Sequence, residues 1–285
     1  MVQIKFALPV CKNVNELRRE VARQKLVRQG VGLVPTMGAL HEGHMSLIQK
    51  ASKSHGVVIL SIFVNPLQFG AGEDLDSYPR RLQEDVRLGS LSGATVIFAP
   101  TQDSFYNSNH QTTLANFELE NLYCGEFRPG HFRGVLTVVA KLLMASIPDT
   151  AYFGKKDYQQ LYLINRMVTD LNIPVKILGC VTKRETSGLA KSSRNEYLSE
   201  NNYKKAASVY QALKDAKKEL KSGKSWIKQR KEGMEKLEKE GFGEIQYFEL
   251  VDRKTLLPQK KYVRPAVLLI AVYLGETRLI DNLEL

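Results

Sequence analysis

Apolar positions along the first two thirds of the chain fall into short runs that alternate with helical stripes. Residues 31–35 (VGLVP) and 57–64 (VVILSIFV) are short, rich in β-branched side chains and bounded by Gly, Pro or Asn, which predicts buried strands. Between them, residues 43–54 (GHMSLIQKASKS) carry their apolar side chains at helical spacing. Strand, helix and strand in that order predict a βαβ unit, hence a parallel sheet with a right-handed crossover. The alternation continues with a helix over 80–91, a strand over 94–98 (ATVIF) and a helix over 131–146 (HFRGVLTVVAKLLMAS) that stops before Pro148. A short strand over 150–153, a helix over 157–171 (DYQQLYLINRMVTDL) and a strand over 173–179 (IPVKILG) complete the series. The fold class predicted is α/β: a doubly wound parallel sheet.

Beyond about residue 184 the texture changes. Two polar, lysine-rich helices, roughly 200–221 and 225–239, precede strands over 245–251, 266–274 and 277–283. Residues 1–184 are therefore expected to form the larger domain and residues 185–285 a smaller C-terminal α+β domain. No internal repeat and no low-complexity tract interrupts either part.

Composition narrows the class. The chain has 285 residues, 43% hydrophobic and 25% charged, ordinary values for a globular protein with a real core. No run approaches the 18 or so uncharged apolar residues of a membrane span. The opening segment MVQIKFALPVCKNVNEL lacks the long apolar core of a signal peptide, so a cytoplasmic location is expected. Three scattered cysteines, Cys11, Cys124 and Cys180, show no metal-binding spacing and fit unreactive thiols in a reducing compartment. The net charge is +11. A nucleic-acid partner, an anionic small substrate or a lysine-rich surface would each account for it. The lysines crowd into residues 204–240, mixed with Asp and Glu at helical spacing and without interleaved aromatics. That pattern favours solvated helix faces over a nucleic-acid groove.

The chemistry-bearing stretch of first interest is PTMGALHEGHMSL, where a predicted strand turns into a helix. In a doubly wound sheet ligands gather at the carboxyl ends of the strands, and a helix N-terminus there offers N–H groups and positive partial charge to an anion. Gly38 and Gly43 allow tight turns, and His41 and His44 would add imidazole donors. Two histidines without a third nearby ligand make a weak zinc site. In SIFVNPLQF, Asn65 and Gln68 follow the second strand of the unit. Neutral amides in that place can orient a polar organic substrate. YFGKKDYQQL repeats the strand–turn–helix layout, with Lys155 and Lys156 where a phosphate needs cations. Asp157 and Gln160 lie one helical turn apart there, and Asp157 also suits a plain N-cap. AKSSRNEYL brings Lys191, Ser192, Ser193 and Arg194 into one short loop of phosphate donors. SGKSW (222–226) has the ending of a P-loop, but Lys218 occupies the place of the leading glycine and the stretch joins two helices.

Taken in order, PTMGALHEGHMSL, SIFVNPLQF, the YPR at 78–80, RPGHFRGVLTVVAKL, YFGKKDYQQL, GLAKSSRNEYL and RLIDN (278–282) resemble the pantothenate synthetase (pantoate–β-alanine ligase) family over essentially the whole chain. The resemblance implies a Rossmann-like ATP-binding domain of the HxGH nucleotidyltransferase type, with the smaller C-terminal domain as a lid, in a homodimer. It implies an ATP-dependent, AMP-forming ligation of (R)-pantoate to β-alanine through pantoyl adenylate, with Mg²⁺ held mainly by the ATP phosphates rather than by protein side chains. The implied partners are these small molecules, with no nucleic acid and no membrane.

The family's roles carry over residue by residue. Met37, Gly38, Ala39, Leu40, His41, Glu42, Gly43 and His44 would line the ATP site, with His41 and His44 on the phosphates. Gly154, Lys155, Lys156 and Asp157 would contact ATP, as would the backbone at Lys183, and Lys191, Ser192, Ser193 and Arg194 would close over the phosphates. His44, His41, Lys156, Ser192, Ser193 and Arg194 form the implied catalytic set. Gln68 and Gln160, supported by Asn65, would hold pantoate, while Arg128 and His131 shape the pantoate and β-alanine end. Lys155 stands where the family usually has Glu, and Lys191 where it usually has Met or Leu. The rival readings are a nucleotidyltransferase for another acceptor, which does not predict the Asn65, Gln68 and Gln160 amides, and a basic RNA-binding protein.

Overall fold

Aliphatic runs that leave no polar face for water assemble into one six-stranded parallel sheet. The protein is described by a computed structural model over residues 8–285; residues 1–7, the start of the segment read for a leader, lie outside the described residues. The order is β1 (Val10–Cys11), α1 (Val14–Lys25), β2 (Val31–Thr36), α2 (Glu42–Ser52), β3 (Val57–Ile62), α3 (Leu82–Leu91), β4 (Val96–Phe98), the short helices α4 (Gln102–Phe105) and α5 (Cys124–Phe127), α6 (His131–Ser146), β5 (Thr150–Gly154), α7 (Tyr158–Asp170) and β6 (Lys176–Cys180). The strands lie in the order β1-β4-β3-β2-β5-β6, every pair parallel. Val31, Leu33 and Val34 of β2 and Val57 to Leu60 of β3 are wholly buried. The chain steps from β2 through β3 to β4 in one direction and then returns to place β5 on the other side of β2. The carboxyl ends of β2 and β5 are therefore the switch point, where this architecture opens a crevice.

Three local differences from the sequence pattern have physical causes. Helix α1 was not expected from the pattern. Asn13 caps it by accepting from the Glu16 N–H at 3.0 Å, Glu16 accepts in return from the Lys12 N–H, and Leu17 and Val21 are buried. The strand expected from residue 94 begins at Val96, because the Ala94 N–H bonds Gly89 O and closes off α3. The strand expected from residue 173 begins at Lys176, because Ile173 N–H turns back to Val168 O and Val175 N–H to Ile173 O.

The chain divides into two compact units. The first runs to Gly154 and resumes over Leu163–Cys180; the second comprises Lys155–Tyr162 and Val181–Leu285. The second unit contains helices α8 (Glu200–Lys205), α9 (Ser208–Lys221) and α10 (Trp226–Lys239), and an antiparallel sheet β7-β8-β9 of Ile245–Asp252, Ala266–Leu274 and Thr277–Glu284. The single helix expected over 200–221 is two, because Val209 N–H bonds Ala206 O and tightens the backbone there. Leu213 and Phe248 are wholly buried in this unit, and the Trp226 ring stands edge-on to Phe248 with centroids 5.3 Å apart. SGKSW joins α9 to α10 with Gly223 at φ +87°. The lysines here meet carboxylates, as in Lys204–Glu200 at 2.7 Å and Lys236–Asp215 at 2.9 Å, the mixed-charge helix faces expected from the sequence. No helix of the described residues is long and apolar enough to cross a membrane.

Candidate active site

The loop that leaves β2 is held from its own side chains and from α3. Gly38 has φ +87° and Ala39 φ +49°, a left-handed pair that folds the chain sharply toward α2. Thr36 Oγ1 donates to Ser61 O at 2.7 Å and accepts from the Gly38 N–H. The buried Asp85 carboxylate of α3 accepts from the N–H groups of Ala39 at 3.1 Å and Leu40 at 2.8 Å. Burial pushes the Asp85 carboxyl above its ordinary value, against these two hydrogen bonds, which pull it down.

His41 is the N-cap of α2. Its Nδ1 accepts from the Gly43 N–H at 3.1 Å, and the His44 Nδ1 receives the His41 N–H in a long contact of 3.4 Å. An Nδ1 used as an acceptor leaves the proton of a neutral ring on Nε2. The two rings lie 4.1 Å apart, tilted by 34°. The structure thus brings His41 and His44 together as neighbouring donors at the positive end of a helix. It also corrects one expectation. The N–H groups of Gly38, Ala39, Leu40, His41 and Gly43 are taken by protein side chains rather than left open for an anion. An anion here would be met by imidazoles and the helix field more than by a cradle of loop amides.

Asn65, Gln68, Arg128 and His131, far apart in sequence, form one hydrogen-bonded group in the first unit. Asn65 Nδ2 donates to Gln68 Oε1 and to Gly134 O, both at 3.1 Å, and Gln68 Nε2 reaches Met37 Sδ at 3.1 Å. Arg128 pairs with Glu73 through both Nε and Nη2, at 2.7 and 2.5 Å, and its Nη1 lies 3.1 Å from His131 Nε2. Arginine only donates, so His131 Nε2 accepts and Nδ1 is the donor to Gln68 O at 2.8 Å. Burial pushes the Glu73 carboxyl up, but the hydrogen bond and charge of Arg128 outweigh it and leave it below its usual value. Asp85, Glu73 and Tyr106, whose hydroxyl donates to Asn65 Oδ1 at 3.0 Å, brace the residues of the candidate site, and the sequence reading does not single them out. Asp85 sits in the first turn of α3 beside Glu84, where acidic residues ordinarily answer the helix dipole, so nothing local marks it.

The remaining expected residues, apart from Gly154 at the end of β5, lie in the second unit. Lys155 Nζ is 2.8 Å from Glu284, and Lys156 Nζ is 3.8 Å from Asp157, which immediately precedes α7. Asn282 Nδ2 donates to the carbonyls of both Lys155 and Lys156 at 2.8 Å, so the end of β9 shapes that segment. Gln160 lies in the first turn of α7, as expected. Lys183 O accepts from the Lys191 N–H at 2.9 Å, and Lys191 Nζ pairs with Glu185 at 3.0 Å. Ser192 Oγ accepts from the Arg194 N–H and starts the 3₁₀ turn Ser193–Tyr197. Arg184 braces the base of this loop through Asp281 in a two-pronged pair.

A doubly wound parallel sheet with paired histidines capping the helix at its switch point is the framework of a nucleotide-binding α/β enzyme. The chain belongs to the pantoate–β-alanine ligase family, whose model matches residues 9–284, and it is a ligase. It is 45% identical over 279 residues to the pantothenate synthetase of Sulfurihydrogenibium sp. (strain YO3AOP1), covering 97% of this chain and 100% of that one. It is 46% identical to the pantothenate synthetase of Clostridioides difficile (strain 630), covering 95% and 96%. The crystal structure of pantothenate synthetase from Thermus thermophilus is similar at a TM-score of 0.91 and 43% identity, covering 97% of this chain and 99% of that one. The pantoate–β-alanine ligase of Francisella tularensis, solved in complex with beta-gamma ATP and β-alanine, is similar at a TM-score of 0.81 and 35% identity, covering 98% of each chain.

Proposed function

We propose that the chain joins (R)-pantoate to β-alanine with ATP as the driving substrate, releasing pyrophosphate and AMP through a pantoyl-adenylate intermediate. The observation that carries this reading is the Gln68 Nε2–Met37 Sδ contact of 3.1 Å. It sets an amide suited to a small hydroxy acid against the same loop that ends in His41 and His44. One loop then serves both reactants of an adenylation. The ATP and β-alanine of the Francisella tularensis complex are two of the three substrates this reading requires.

In the first step a pantoate carboxylate oxygen attacks the α-phosphorus, and the bond to the bridging oxygen of pyrophosphate breaks. Charge builds on phosphate oxygens, so donors already in place contribute most. His41 and His44 would supply Nε2–H groups, with Lys156, Ser192, Ser193 and Arg194 on the same phosphates. Met37 to His44, Gly154 to Asp157, Lys183 and Lys191 to Arg194 would contact ATP. Gln68 and Gln160 would hold pantoate. Arg128 and His131 shape its end through Gln68 O and Glu73. In the second step the neutral amine of β-alanine attacks the acyl carbon, AMP leaves, and the amine loses a proton to solvent. No covalent enzyme intermediate is needed. All three cysteines are buried and in no disulfide, and burial pushes the Cys11 thiol up to about 11.

Mg²⁺ would travel with the nucleotide and neutralise phosphate charge. Among the described residues no cluster of three or more His, Cys, Asp or Glu is placed to hold a metal. The same resemblance supports a cytoplasmic homodimer. Isotope exchange between labelled pyrophosphate and ATP tests the reading. Exchange should require pantoate and proceed without β-alanine. Exchange indifferent to pantoate, or absent until β-alanine is added, overturns the adenylate route.

A further inference from the structure

Asn65 is 1% exposed, and every hydrogen-bonding group of its side chain is engaged by the protein. Its Nδ2 faces Gly134 O, and a backbone carbonyl only accepts. That contact settles which end of the amide is nitrogen. The other end, Oδ1, accepts from the Tyr106 hydroxyl at 3.0 Å. The second Nδ2 hydrogen points at Gln68 Oε1, 3.1 Å away. Were the Gln68 amide turned over, two N–H₂ groups would face each other in a buried place. Asn65 makes no side-chain cap to the 3₁₀ turn Pro66–Gln68 that it precedes, so turn-forming does not account for it.

We propose that Asn65, clamped between Tyr106 and Gly134, is a positioning residue that fixes the Gln68 amide with its N–H₂ toward Met37 and the loop before α2, so that Gln68 meets the acid substrate only as a donor. Tyr106 is the far end of this relay, and the inference rests on the adenylation reading given above. Burial pushes the Tyr106 phenol up, so it remains a donor throughout the working pH range. Gly134 belongs to the device for a steric reason. A Cβ there would lie 2.1 Å from Leu67 O and 2.6 Å from Gln68 N, so only glycine lets α6 approach the turn closely enough to offer its carbonyl. A donor-only Gln68 suits a carboxylate or a hydroxyl oxygen and disfavours a ligand that presents an N–H at the same point.

The test is a double-mutant comparison read as kcat/KM for pantoate in the exchange reaction, with KM for ATP measured alongside. Asn65→Ala is expected to fall to the level of Gln68→Ala, and the double variant no further. Tyr106→Phe, which keeps the ring, is expected to raise KM for pantoate about three- to tenfold while KM for ATP stays within about twofold, the scale of one neutral hydrogen bond. In a Gln68→Ala background Tyr106→Phe should change nothing. A loss of stability alone would move both substrates together and would persist in that background. Losses that multiply, in an enzyme whose exchange depends on pantoate, overturn the inference alone. A wild type without pantoate-dependent exchange overturns the functional reading and the inference with it.

Discussion

The Asp85 carboxylate accepts a hydrogen bond from the backbone N–H of Leu40 at 2.8 Å, tying the first turn of α3 to the loop that leads into α2. Its other oxygen holds Ala39, the residue at φ +49°. The sharp turn before His41 therefore depends on a side chain contributed by a distant part of the chain. Asp85→Asn keeps the shape but sets an N–H₂ against one of these N–H groups. Thermal unfolding should show a loss of about 1–3 kcal/mol, and KM for ATP should rise on the order of tenfold as the histidine pair loses its fixed start.

His44 is expected to stabilise charge on the phosphates during adenylation. His44→Ala should slow single-turnover formation of pantoyl adenylate by roughly 10²–10³, the cost of losing one preorganised donor. The His41 ring is the neighbour 4.1 Å away, and His41 also caps α2. His41→Ala should therefore lower stability as well as rate, by about 1 kcal/mol, a difference that unfolding curves of the two variants will show.

Glu73 and Asp85 give opposite pH signatures. The folded value of Glu73 lies below its ordinary 4.5, so its contribution to stability is fully present above 4.5 and is lost as pH falls through the folded value. The folded value of Asp85 lies above its ordinary 3.8, so its titration favours the folded state below 3.8, and that gain is lost as pH rises through the folded value. Denaturant midpoints should show the wild-type advantage over Glu73→Gln shrinking as pH drops below 4.5. The difference between wild type and Asp85→Asn should shift in favour of wild type as pH falls through the raised folded value of Asp85 toward 3.8.

Lys191, where the resemblance leads one to expect Met or Leu, pairs with Glu185 at 3.0 Å, with 16% and 28% of the two side chains exposed. Lys191→Met is expected to weaken ATP binding by about three- to thirty-fold, because it removes a cation from the proposed phosphate loop and leaves a carboxylate there unanswered. Adding Glu185→Gln should recover most of that loss. ATP titrations at low and high salt should show the steeper salt dependence in wild type.

Much of this protein was legible in one dimension because short-range rules decide it. Buried parallel strands must be apolar without interruption, so VGLVP and VVILSIFV announced β2 and β3. A chain that turns from strand to helix at PTMGALHEGHMSL and again at YFGKKDYQQL shows where ligands would gather. The order of the motifs then carried the family. Helix α1 carried a local signal that the hydrophobic pattern passed over, the N-cap Asn13, which accepts from the Glu16 N–H.

What the tertiary structure alone decided is which side chains commit their polar groups to the protein. From sequence and resemblance, Gln68 is expected to hold pantoate with Asn65 in support, and Arg128 and His131 to shape the pantoate and β-alanine end, but none of their hydrogen-bond partners can be read. Folding buries Asn65 against Tyr106 and Gly134, turns Arg128 onto Glu73, and leaves the Gln68 N–H₂ at Met37. The same holds for Asp85, an ordinary acidic residue of a first turn until the sheet carries α3 beside the β2 loop. The reason is that hydrogen-bond partners far apart in the chain are set by packing, and no local pattern records them. A buried donor or acceptor must find its partner wherever the fold brings one within about 3 Å.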